Sequence, residues 1–95
     1  MITYTEAKEL VREWGTGSFR TRKLNIRKHY NKHGQRVKAG SVWQYLRKAS
    51  AFRQEVRGKA TRVTGTTAGV HRYHKQGRYI DLAPEGKIIS FGSIA

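Results

Sequence analysis

The sequence has no cysteine, a single proline and only six carboxylate side chains in 95 residues. Each shortage excludes something. Without cysteine there is no disulfide framework and no thiolate metal site, which fits a reducing interior. No stretch approaches the roughly 18 consecutive apolar residues of a membrane-spanning helix, so no membrane partner is expected. The opening MITYTEAKEL puts polar residues and two glutamates where a secretory leader needs an apolar run. A cytoplasmic location is therefore expected, at the nucleoid if the source is prokaryotic or viral. The scarcity of acid leaves 20 Lys and Arg largely uncompensated, for a formal net charge of +14. A folded domain with that charge repels itself and tolerates it best beside a polyanion.

Two Trp, five Tyr and three Phe are enough for a small packed core. The length suits one domain, with a helical part over about 4–51 and a β part over about 52–95. The charge is uneven. Residues 1–14 carry three Glu against Lys8 and Arg12, while residues 15–62 carry fourteen Lys or Arg against Glu55 alone. A surface built only for solubility mixes both signs. This segment does not, which points to polyanion binding.

Along the chain, Ala7, Leu10, Val11 and Trp14 recur at helical spacing, and Gly15 and Gly17 supply a stop. The pattern predicts a first helix over 4–14, with Thr3 and Glu6 as a capping box, Thr5 a rival cap, and a structural role. Ser18 to Arg22 reads as a turn or short strand. Thr21 is the expected cap of a second helix ending near His33, with Ile26, His29, Tyr30 and His33 on one face. A third helix over 39–51 gathers Val42, Tyr45, Leu46 and Ala49 on one side and Ser41, Gln44, Arg47 and Lys48 on the other, with Trp43 on the flank. Phe52, Gln54 and Val56 then alternate with Arg53, Glu55 and Arg57. Followed by Gly58 and the β-prone Thr61–Thr64, this predicts a hairpin over 52–64 with Arg57 and Lys59 at its tip. VHRYHKQGRYIDL reads as a second hairpin over 70–82, APEG as a turn and KIISF as a last strand.

SFRTRKL before a second helix, SVWQYLRKASAF as a helix running into a strand, and RGK as a tip together resemble the winged helix-turn-helix superfamily over residues 4–64. The resemblance implies an α+β fold: a three-helix winged helix-turn-helix-like domain with a β-hairpin wing and a C-terminal β extension. Either the 52–64 or the 70–82 hairpin would be the wing. HGQRVKAG is long for the turn between the second and third helices. The resemblance also implies that helix 39–51 enters the major groove and that the wing touches adjoining backbone.

On this reading the chain is a DNA-binding protein without catalytic activity, a small transcriptional regulator or architectural protein whose partner is double-stranded DNA. Arg22, Lys23, Arg27, Lys28, Arg36 and Lys38 would hold phosphates. Ser41, Gln44, Arg47 and Lys48 would face base edges, with Trp43 beside the backbone and Arg57 and Lys59 on the adjoining groove. A homodimer through Trp14 on the first helix is an open alternative. No cofactor or metal is expected, because no cysteine strengthens the four histidines and the His71–His74 spacing points to opposite strand faces. Two rivals share the same cations. One is an RNA-binding or ribosome-associated protein, with Tyr73 and Tyr79 stacking on bases. The other is a small basic ribonuclease toxin using His71, His74 and Arg78 with their neighbours.

Overall fold

The computed structural model describes residues 2–57, 61–63 and 69–94. Three helices precede a β-meander: α1 (Tyr4–Arg12), α2 (Arg22–His33), α3 (Val42–Glu55), β1 (Thr61–Val63), β2 (His71–Lys75), β3 (Arg78–Leu82) and β4 (Ile88–Ser93). Each helix opens on a hydroxyl cap. Thr3, Thr21 and Ser41 each accept a bond of 3.1 Å from the backbone N–H three residues on. Thr3 rather than Thr5 caps α1. The capping box is only half made, because the Glu6 carboxylate turns to Arg47 instead of reaching back to Thr3.

The four strands pair antiparallel in chain order, β1-β2-β3-β4, with a register shift at Asp81/Leu82. The β2–β3 hairpin turns through Gln76 and Gly77, both at positive φ (50° and 77°). Two successive left-handed residues give the turn whose twist matches its flanking strands, and glycine takes that conformation at little cost. The expected 70–82 hairpin and last strand thus form, the strand running two residues past KIISF.

The 52–64 hairpin does not form. Phe52–Glu55 are the last turn of α3, and the strand that follows, β1, pairs with β2. A period-two reading of Phe52, Gln54 and Val56 contains a four-residue step from Phe52 to Val56. That step continues the stripe Tyr45, Ala49, Phe52, and both residues are buried. Gln54, the residue that distinguishes the two periods, is exposed. The RGK tip includes Gly58 and Lys59, which lie outside the described residues. Ser18 to Arg22 forms turns and no strand.

The core is an aromatic series between helices and sheet. Trp14 lies 5.9 Å from Tyr45, Tyr45 is 5.6 Å from Phe91, and Phe91 is 5.5 Å from Phe52. Trp14 has no exposed surface, so it is spent inside the monomer and dimerisation through it is ruled out. Its segment docks on β4: Gly15 N–H donates to Ile88 O and Ile88 N–H to Glu13 O, both at 2.8 Å. Asn25, fully buried on α2, donates from Nδ2 to Gly15 O (2.9 Å) and Ile89 O (3.2 Å), joining three segments at one point. Val37, in the α2–α3 connection, is also fully buried.

Asn25→Asp replaces that double donor with an acceptor facing two carbonyls. Urea unfolding should show a loss of more than about 2 kcal/mol, since buried groups left unsatisfied cost about 1–3 kcal/mol and charged ones more. An unchanged midpoint would refute the role given to this side chain.

Candidate nucleic-acid interface

Helix α2 carries five cations and no acid, and four of the five, Arg22, Lys23, Arg27 and Lys28, are expected phosphate holders. Its inward side carries Asn25, Ile26, His29, Tyr30 and His33. Its outward side exposes Lys23, Leu24, Arg27, Lys28, Asn31 and Lys32. A helix this basic is held by packing of its inner face rather than by its own charge pattern. Arg22, at its start, is half-buried, and its Nε is enclosed without an acceptor.

The expected reading edge of α3 is outward at Ser41, Gln44 and Arg47, but each of these side chains already has a partner. Arg47 forms a two-pronged bond to Glu6 of α1, Nη2 to Oε1 at 2.7 Å and Nε to Oε2 at 2.9 Å. The bond holds the Glu6 carboxyl below its usual range and raises the Arg47 guanidinium. Ser41 is occupied as the helix cap, and Gln44 Oε1 accepts from Gly40 N–H. Lys48 and Trp43 are half-buried, and Trp43 packs against the core. Arg53, further along, donates to Gly86 O at 2.9 Å and pairs with Glu13 at 3.4 Å. Glu6 of α1 and Glu13 just beyond it thus meet two arginines of α3. The α2–α3 connection exposes Arg36 and Lys38, Lys38 at φ 61°, and Arg57 is exposed just beyond α3. Lys59 lies outside the described residues.

A cleft of about 550 Å³ opens on the other side of α2, against the sheet and the Gly15–Phe19 turn. Here the structure assembles groups that sequence spacing did not connect. His33 Nε2 lies 3.1 Å from the Tyr79 hydroxyl, which is 2.8 Å from Ser90 Oγ. His29 stacks on His33 with ring centroids 6.0 Å apart, and its Nδ1 is 3.1 Å from Asn25 O. Arg72 lies over the Tyr79 ring at 4.1 Å and grips Asp81 with bonds of 2.7 and 2.9 Å. Gly92 lets this happen: a Cβ there would lie 2.8 Å from the His33 ring. Helical i, i+4 spacing foretold the His29–His33 face. The partners on β3 and β4 carry no local signal, being far away in sequence. Of the histidine set weighed on the hairpin, alternation puts Arg72 and His74 on one face and His71 and Tyr73 on the other, so the set does not converge.

Burial pushes both cleft imidazoles down. For His33 the neighbouring His29, Lys32, Arg36 and Arg72 push the same way. Burial also pushes the Tyr79 hydroxyl up. A histidine whose folded value is depressed stabilises the fold fully above its unfolded value, about pH 6.5. That stability is lost as the pH falls through the lower folded value. Thermal midpoints should therefore drop between about pH 7 and pH 5, and less so in His29→Phe, which keeps an aromatic ring against Phe19. Parallel curves for the two proteins would remove His29 from this account. Compared with known proteins, the chain matches no family model, no curated protein and no solved structure.

Proposed function

We propose that this protein binds nucleic acid through the outward side of α2, with duplex DNA as the ligand. The observation that carries the reading is the sorting of charge. Glu6, Glu13 and Asp81 engage Arg47, Arg53 and Arg72, while α2 exposes its lysines and arginine with no carboxylate on the helix. Lys23, Arg27, Lys28 and Lys32 hold phosphates, with Arg36 and Lys38 beside them. The outward edge of α3 faces bases through Gln44, Arg47 and Lys48. Arg47 reaches a base by exchanging Glu6 for it, a small cost because the pair is exposed. The tip of the β2–β3 hairpin, with Lys75 and Arg78, lies beside Phe52 and Glu55 at the end of α3. This closeness supports reading the β2–β3 hairpin as a wing, and with it a regulatory or architectural role on DNA.

The first experiment is competition between duplex DNA, single-stranded DNA and RNA across a salt series. Lys28→Ala should weaken every sequence alike and lower the salt slope by about one. Arg47→Ala should cost about 1–3 kcal/mol at one preferred base pair. Undiminished binding of all sequences by Arg47→Ala would leave α2 as the interface and remove α3 as the reader.

A second reading, metal-independent RNA cleavage, is favoured by the cleft. The Asn25 carbonyl accepts the Nδ1 hydrogen of His29, leaving Nε2 as a base for a ribose 2′-hydroxyl. The 2′-oxygen then attacks phosphorus, and the 5′-oxygen leaves and takes up a proton. Purified protein incubated with a fluorogenic RNA tests this reading. Cleavage abolished by His29→Ala supports it, and intact RNA after prolonged incubation ends it.

A further inference from the structure

On the helical side, two depressions of about 470 and 500 Å³ adjoin, sharing Val11 and Trp43 as walls. Ile26, Tyr30, Val42 and Leu46 line the first, and Tyr4 and Ala7 line the second. Their floor is apolar and aromatic. The charged residues around them are Lys8, Arg12, Arg22, Lys23 and Arg27, with no carboxylate among them. Tyr4 is 82% exposed, the most open large hydrophobic residue among the described residues. A bare aromatic beside an apolar groove is costly unless something covers it.

We propose that this groove receives unpaired nucleobases, stacked on Trp43 and Tyr4, from a strand whose phosphates lie on Arg22, Lys23 and Arg27. The proposal rests on the nucleic-acid reading above and names the ligand class it prefers: nucleic acid with an unpaired segment, over uninterrupted duplex. Three observations favour this occupant. Every base has a flat π-face, and an aromatic wall accepts it whatever the sequence. Cations surround the groove with no carboxylate among them, which matches a backbone running along it. Lys23 and Arg27 belong both to the groove and to the outward side of α2, so a strand anchored on α2 has its bases within reach. An acidic amphipathic helix of a partner protein is the competing occupant, and the test separates the two.

Two tryptophans make the test direct. Trp14 has no exposed surface, so fluorescence changes on binding report Trp43. Labelled blunt duplex, the same duplex with a short thymine tail, and the tail alone are titrated while anisotropy and tryptophan emission are recorded. The tailed duplex should bind at least about fivefold tighter than the blunt one, the lower limit for one stacked base, and should alone among the duplexes quench Trp43. Tyr4→Ala, a change at an exposed position, should lower that preference while leaving blunt-duplex affinity unchanged. Trp43→Phe should remove the quench and weaken the preference. Equal affinity for tailed and blunt duplex, with Trp43 emission unchanged, overturns the groove assignment and leaves the α2 interface standing. So does quenching by an acidic amphipathic peptide but by none of the oligonucleotides. Absence of binding by every oligonucleotide at low salt overturns the nucleic-acid reading itself.

Discussion

The short seam between Glu13–Gly15 and Ile88 is the constraint on which the rest of the molecule depends. Two backbone hydrogen bonds fix the end of α1 to the outer edge of β4. They bury Trp14 where α2, α3 and the sheet meet, and the indole contacts both His29 and Tyr45. From there the aromatic series passes to Phe91 and Phe52, so α3 and the sheet share one interior. Asn25 ties α2 to the same seam. The placement of α2, and so of its cations and its histidines, follows from a junction that carries no charge of its own except Glu13.

Sorting of charge comes from that placement. Helix α1 is held against α3 by contacts that let Glu6 and Glu13 reach Arg47 and Arg53. The Arg47–Glu6 pair is exposed and contributes little to stability, while Arg53–Glu13 is partly buried. Their effect on the surface is larger, because they cancel positive potential over α3 and leave it concentrated on α2. The fold therefore has two sides of different character around the same helix. One is a cationic outer side continuous with an apolar groove, and the other a polar cleft in which Arg72 is already bound.

How much of this was legible in the sequence depends on distance along the chain. The helices were, because caps at Thr3, Thr21 and Ser41 and stripes such as Tyr45–Leu46–Ala49 are local signals. The hairpin through Gln76–Gly77 was legible for the same reason. The end of α3 was misread because Phe52 and Val56 fit both periods, and only the exposure of Gln54 between the two buried residues decides between them. The cleft was not legible: His33, Tyr79 and Ser90 meet across the fold, and nothing near His33 announces a hydroxyl 46 residues later. The partner of Arg47 was illegible for a related reason. Its wheel position is outward, but the neighbour that meets it is Glu6, supplied by a helix whose docking angle no spacing encodes.

One consequence of the seam concerns copies of the chain rather than a single copy. Protein molecules gathered along a polymer of opposite charge are brought to high local concentration, where exposed strand edges can join and grow into fibres. Here the β4 edge is occupied at Ile88 by the chain's own Glu13–Gly15 backbone, and at the opposite edge the described part of β1 spans three residues. The occupied end of β4 shortens the template that edge offers for strand addition. The same two hydrogen bonds that set the fold thus also close part of a sheet edge to a second copy of the chain.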